Sequence, residues 1–194
     1  LRATDGKIGR QVALKMLLSE VSGHPQLQRR FLNEARITGQ LEHPNIVPIH
    51  EMDRTEDGRD YFSMQLIQGR SLADRVEIAA KRAQATGKGH DGRCWLPDFL
   101  KICDAMSFAH SKRIIHRDLK PANVMVGEFG EVLVMDWGLA KDLAVAEEAE
   151  EETPEYQAAD SQMNQLDSGL TQTGQVMGTV AYMPPEQAEA EGGR

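Results

Sequence analysis

The chain has 194 residues, of which 40% are hydrophobic and 27% charged, with a formal net charge of -8 at pH 7. That length accommodates one large domain or two small lobes, and the hydrophobic share is enough for a packed core. The acidic balance argues against a nucleic-acid-binding protein, and two cysteines, Cys94 and Cys103, without metal spacing argue against a disulfide scaffold or a zinc module. No apolar run reaches the length of a membrane span and no signal peptide is visible, so no membrane contact is expected from this segment and a reducing, cytoplasmic setting is expected.

In chain order, "QVALKMLL" reads as a short buried strand over 11–18. A helix follows within 24–44, because Leu27, Phe31, Thr38 and Leu41 recur on one helical face. Two strands, within 43–53 and 60–67, are joined by the polar turn "RTEDGR". Ser71 and Asp74 form a capping-box signature that opens a helix running to about Arg82. A glycine-bearing insert, "ATGKGHDGR", precedes another amphipathic helix marked by Phe99, Ile102, Cys103 and Met106 and ending near Ser111. "NVMV" and "EVLVMD" then read as strands joined by "GEFG". From about residue 143 to 174 the pattern dissolves. A glutamate-rich block at 147–155 with few aromatics cannot bury enough surface to offset its ordering entropy, so 144–166 is expected to lack helix and strand. Strands cluster early and helices late. An α+β chain with a sheet-rich lobe and a helical lobe is one natural reading.

Chemistry-bearing residues stand out against this frame. Glu34 falls on the inward stripe of the first helix, where a carboxylate is costly unless paired. Lys15, with apolar neighbours on both sides, is the evident partner. Taken singly, an edge-strand lysine and a snorkelling glutamate account for them at least as well. "RIIHRDLKPANVMV", 113–126, packs Asp118 between Arg117 and Lys120 with Asn123 close by. A solvated turn explains one or two of these residues, but not the whole set bracketed by apolar segments. Asp136 closes the run "EVLVM"; strands often end in an acid, yet Asn123 and Asp136 flank one hairpin, which suits a hard cation such as magnesium.

With these motifs the chain resembles the eukaryotic-like serine/threonine protein kinases, particularly their bacterial members. "VALK" is similar to the lysine motif of the family's third strand, "HRDLKPAN" to its catalytic loop, "DWG" to the usual "DFG", and "GTVAYMPPEQ" to the segment closing the activation loop, with "PPE" for "APE". The resemblance implies a two-lobed α+β fold, truncated here, with a partial N-lobe over 1–67 and a partial C-lobe over 68–194, a catalytic loop at 116–123 and an activation segment at 136–186. It also implies that Lys15 holds the α- and β-phosphates of ATP and that Glu34 positions Lys15. Asp118 would accept the proton of the substrate hydroxyl, Lys120 would steady the transferring phosphoryl group, and Asn123 and Asp136 would hold Mg2+ or Mn2+. Lys120, in place of the alanine usual in tyrosine kinases, favours serine and threonine substrates.

The same resemblance implies that Ala13 and Met125 sandwich adenine, that Met64 stands beside the pocket as gatekeeper, and that Gln65, Leu66 and Ile67 form the hinge. His116 and Trp137 are expected to be packed and unreactive, with a partner needed for the indole N–H. Arg117 would dock a phosphate on the activation loop, with Thr171 and Thr173 as the sites of autophosphorylation, in trans within a kinase-domain dimer. Thr179 would belong to the substrate platform beside Asp118 and Lys120. Only "LRATDGKIGRQ" precedes "VALK", too short for the family's glycine-rich loop, and the chain stops soon after Glu186. A fragment, inactive by itself, is therefore expected. Two other readings compete with the kinase: a pseudokinase scaffold, against which Lys15, Asp118, Asn123 and Asp136 argue, and a small-molecule phosphotransferase, against which the "GTVAYMPPEQ" segment argues.

Overall fold

The computed structural model describes residues 1–18, 24–87, 92–144 and 181–183. Its first part is a four-stranded antiparallel sheet with one helix. β1 (Arg2–Thr4), β2 (Gln11–Met16), β3 (Ile49–Arg54) and β4 (Asp60–Gln65) are ordered β1-β2-β4-β3. The register sets Ala13 opposite Met64 and Lys15 opposite Phe62. Helix α1 (Pro25–Gln40) begins at a proline, whose fixed φ and missing N–H suit the first helical turn. Its inward stripe carries Phe31, Glu34 and Thr38, all buried, and Leu41 just beyond it is buried as well, with Leu27 half-buried, as the periodicity requires. Phe31 and Phe62 meet with ring centroids 5.0 Å apart and anchor a small core with Leu17 and Ala35.

The strand expected over 43–53 starts only at Ile49. Pro44 and Pro48 withhold ladder donors, so the preceding residues turn instead against the far hairpin. There Ile46 bridges Val134 in parallel, Val47 N donates to Val134 O at 3.1 Å, and Val134 N donates to Asn45 O at 2.9 Å. This seam joins the sheet-rich part to the rest of the chain.

Beyond it come β5 (Gly69–Ser71), α2 (Leu72–Thr86), α3 (Leu96–Ser111), β6 (Ile114–Ile115), β7 (Val124–Gly127), β8 (Val132–Val134) and β9 (Lys141–Asp142). Ser71 caps α2, its hydroxyl accepting from Asp74 N at 3.1 Å. The helix runs past Arg82 to Thr86, because Ala83, Gln84 and Ala85 favour helix and the first left-handed residue is Gly87, at φ +64°. The hairpin β7–β8 pairs with β5, and β6 pairs with β9. The three strands β5, β6 and β9 are too short to leave a periodic signal in the sequence.

Helix α3 departs from the expected face. Its buried residues are Ile102, Ala105 and Ala109, with Met106 packed alongside, whereas Phe99 and Cys103 are exposed. The small alanines, both wholly inaccessible, let the helix press closely on a core that includes Val124, Val132, Val134 and Trp137. Burial is thus decided by closeness of approach as well as by hydrophobicity. The expectation for 144–166 falls almost wholly outside the described residues, as does most of the insert after Gly87. Among the described residues no helix is long and apolar enough to cross a membrane.

Phe62 is 2% exposed and holds α1 against the sheet. Phe62→Ala should destabilise this domain by about 3–5 kcal/mol, the usual cost of emptying an aromatic core site. A urea unfolding midpoint unchanged from the parent would contradict that placement.

Candidate active site

Two polar clusters meet at the hairpin β7–β8. In the first, β2 carries Lys15 and α1 carries Glu34, and Lys15 Nζ donates to Glu34 Oε1 at 2.6 Å. The same ammonium lies 3.4 Å from Asp136 Oδ1, beyond the end of β8. Burial works against the charge on Lys15, but the two carboxylates outweigh it and raise the lysine pKa, so the ammonium is retained. Burial also pushes the Glu34 carboxyl upward, and Lys15 offsets that only in part. Gly138 gives the carboxylates room. A Cβ there would stand 3.2 Å from Glu34 Oε2 and 3.4 Å from Asp136 Oδ1.

The second cluster occupies the loop between β6 and β7. Asp118 Oδ2 accepts from Lys120 Nζ at 2.8 Å and from Asn123 Nδ2 at 3.0 Å. Asn123 Nδ2 also donates to the Asp118 carbonyl at 2.8 Å, so one amide group fixes both the side chain and the backbone of Asp118. Asn123 ends a short 3-10 turn, Pro121–Asn123, and is itself buried. Its amide nitrogen is committed to Asp118, so Oδ1 is the atom it could offer to a cation. With the carboxylate of Asp136 this makes a pair of hard oxygen donors at the two ends of the hairpin, a fit for magnesium or manganese. Met135 N donates to Asn123 O at 2.8 Å, tying the two clusters through the backbone.

His116 and Trp137 are the packing beneath. Both are buried, with ring centroids 4.6 Å apart. His116 Nδ1 accepts from Asp118 N at 3.3 Å, and Nε2 stands 3.1 Å from Met135 O, which fits a neutral imidazole protonated on Nε2. Burial lowers its pKa. The indole Nε1 of Trp137, expected to find a partner, has none among the described residues. An unpaired buried donor costs about 1–3 kcal/mol, and here ring packing has prevailed over polar satisfaction. Three described residues adopt left-handed backbone without being glycine: Arg113 at φ +63°, and, at the site itself, Arg117 and Asp136, both at φ +61°. Arg117 Nε donates to Leu139 O at 2.7 Å.

Lys15, Glu34 and Asp136 are therefore brought together, as are Asp118, Lys120 and Asn123. Ala13 and Met64 are cross-strand neighbours, Gln65 ends β4 with Ile67 just beyond, and Met125 lies on β7 opposite Leu133. Thr171, Thr173 and Thr179 lie outside the described residues. Sequence reasoning missed Arg30, whose Nε donates to Gly138 O at 3.0 Å, and the buried Asp60, which accepts from Gln28 Nε2 at 2.6 Å and Arg54 Nε at 2.9 Å. The only signal available for Arg30 was its place one helical turn before Glu34.

An antiparallel sheet with one helix, joined to a helical part through a lysine–carboxylate cluster, is the arrangement of a protein kinase domain. A sequence model of that domain matches residues 1–192, and the chain belongs to the protein kinase family. It is 40% identical over 185 residues to the serine/threonine-protein kinase PknD of Protochlamydia amoebophila, covering 92% of this chain and 18% of that protein. It is 38% identical to the PknD of Chlamydia muridarum, covering 95% of this chain and 20% of that protein. It is 33% identical to a probable serine/threonine-protein kinase PknB of Corynebacterium glutamicum, covering 97% of this chain and 25% of that protein. The chain thus spans a fifth to a quarter of the length of these relatives.

Two outcomes follow from the packing. A lowered His116 pKa means the folded state prefers the neutral ring, so its stabilisation is in place above the ordinary histidine value of about 6.5. It is lost as pH falls through the lower folded value. A histidine-selective NMR titration should show His116 taking up its proton at lower pH than a free imidazole; a midpoint at or above the free value contradicts the assignment. Trp137→Phe removes the orphaned donor but leaves a smaller ring in the same space, and the two effects should offset to within about 1 kcal/mol of the parent stability. A loss of about 3 kcal/mol or more in chemical denaturation would mean that the indole N–H has an acceptor after all.

Proposed function

We propose that the protein transfers the γ-phosphate of ATP to serine or threonine hydroxyls of protein substrates. The observation that carries this reading is the state of Asp118: its carboxylate is oriented by Lys120 and Asn123 together, 2.8 and 3.0 Å away, next to a second cluster suited to polyphosphate and metal. Lys15, held by Glu34, binds the α- and β-phosphates. Asn123 and Asp136 hold Mg2+ or Mn2+, which screens the charge of the phosphate oxygens when bound. Asp118 orients the incoming hydroxyl and accepts its proton as the new O–P bond forms and the bond to the β–γ bridging oxygen breaks, releasing ADP. Lys120, beside Asp118, offsets negative charge on the transferring group.

Ala13, Met64 and Met125 line the adenine position, with the backbone of Gln65 and Ile67 reading its edge. The cross-strand placement of Ala13 beside Met64 supports this. Residues 1–67 and 68–194 act as parts of two lobes, with a small core of Leu17, Phe31, Ala35 and Phe62 in the first and a larger core that also takes in Ile37, Leu41 and Ile46 across the boundary. Phosphorylation at Thr171 or Thr173, in trans between two kinase domains, acts through Arg117, and Thr179 belongs to the substrate platform. The names of the relatives support serine and threonine as acceptors, and the intact Lys15–Glu34 and Asp118–Asn123 pairs favour catalysis over a scaffold.

Transfer of labelled phosphate by the full-length protein, offered protein and small-molecule acceptors in parallel, tests this. Asp118→Asn should reduce turnover by about 100-fold or more while ATP affinity stays within a few-fold, because positioned proton acceptance is lost and nucleotide contacts are kept. Turnover of the variant close to that of the parent removes Asp118 from the mechanism. Exclusive labelling of small-molecule acceptors removes the protein-kinase reading.

A further inference from the structure

Two arginines from separate elements grip consecutive carbonyls just after Asp136. Arg30, on α1, donates from Nε to Gly138 O at 3.0 Å, and Arg117, in the loop before β7, donates from Nε to Leu139 O at 2.7 Å. The stretch they hold needs holding. Asp136 sits in left-handed backbone at φ +61°, which an aspartate adopts only at a cost, and β9 does not begin until Lys141. Between them the chain is turned by one local bond, Ala140 N to Trp137 O at 3.0 Å.

Arg30 lies one helical turn before Glu34, so the face of α1 that delivers Glu34 to Lys15 also delivers Arg30 to Gly138. Gly138 in turn lies close enough to both Glu34 and Asp136 that a Cβ would crowd each carboxylate. Seating α1 therefore sets the Asp136 turn and the lysine clamp in one movement. A second polar tie on the same helix, Gln28 to Asp60 at 2.6 Å, fastens α1 to the edge of β4 and touches nothing near Asp136. The two ties separate anchoring of the helix from positioning of the turn.

We infer that Arg30 is a positioning residue that acts through the Gly138 carbonyl to hold the Asp136 carboxylate where it meets the metal–nucleotide. This rests on the reading of Asp136 as a metal ligand. A charge-assisted hydrogen bond to a backbone carbonyl is directional, so its loss should loosen the turn, leaving the nucleotide contacts of Lys15 in place.

The test uses the full-length protein, with phosphotransfer measured against Mg2+ concentration and ATP binding measured with Mg2+ and in EDTA. Arg30→Met should raise the Mg2+ concentration for half-maximal rate about tenfold, the order expected when one hydrogen bond to a charged group is lost, with metal-free ATP binding unchanged. Arg30→Lys, which retains a donor without the planar geometry, should fall between the two. Should Arg30→Met not fold, Arg30→Gln should give the same shift. Gln28→Leu should leave the Mg2+ dependence within about twofold of the parent, a margin smaller than the loss of one such bond. Parent-like Mg2+ dependence in both Arg30→Met and Arg30→Gln overturns the inference, as does an equal shift in Gln28→Leu, which would reduce Arg30 to a helix anchor. Asp136→Asn separates the two levels. If it too keeps the parent Mg2+ dependence, the metal-ligand reading fails and the inference with it. If it loses the metal response and the Arg30 variants do not, only the role of Arg30 falls.

Discussion

One ammonium group between two carboxylates organises this molecule. Lys15 comes from a strand, Glu34 from the helix packed on it, and Asp136 from the far end of the chain's central hairpin, and Lys15 Nζ lies 2.6 and 3.4 Å from the two acids. Lys15 and Glu34 need each other, since a half-buried lysine flanked by apolar residues is costly and so is a carboxylate on the inward stripe of a helix, and the exposed Asp136 adds a third partner at longer range. The arrangement therefore does more than neutralise charge. It sets the distance between α1 and β2 and fixes where the chain must pass as it leaves β8. Removing Lys15 or Glu34 leaves an uncompensated charge in place of a simple gap.

The hairpin β7–β8 carries that constraint to the loop between β6 and β7. Met135, just past β8, donates to the carbonyl of Asn123, just before β7, and His116 reaches the Met135 carbonyl from below. Asp118 and Asp136 are thereby held by a common backbone segment although they lie in different loops. Trp137 fills the space beneath them at the expense of an indole N–H that has no partner among the described residues. The seam from Asn45 to Val47 against Val134 makes the same hairpin the junction with the sheet-rich part.

Much of this was legible in the sequence because it is local. Helix α1 declared its face through Leu27, Phe31, Thr38 and Leu41, and Glu34 declared itself by lying on that face. The loop around Asp118 was legible because residues 116–123 place the aspartate, lysine and asparagine within one turn of each other. What was hidden depends on distance in sequence or on backbone detail. Nothing local says that Arg30 will find the carbonyl of Gly138, more than a hundred residues away, or that Asp60 will be buried under Gln28 and Arg54. The face of α3 was misjudged because Phe99 and Cys103 look more apolar than Ala105 and Ala109, whereas close helix packing rewards the smaller side chains. Strand 43–53 was set too early because its apolar residues outweighed Pro44 and Pro48 in the reading.

The left-handed backbone at Arg117 and Asp136 has a bearing on how such chains diverge. A residue with a Cβ gives up about 1–2 kcal/mol in that conformation, which glycine would recover. At these two positions the strained backbone is held by contacts of the side chains themselves, Arg117 on the Leu139 carbonyl and Asp136 against Lys15. Glycine would ease the backbone at 117 but forfeit the bond from Arg117 to the Leu139 carbonyl, and at 136 it would leave Lys15 with Glu34 alone, so neither position can drift to glycine without giving up a contact that ties distant parts of the chain together.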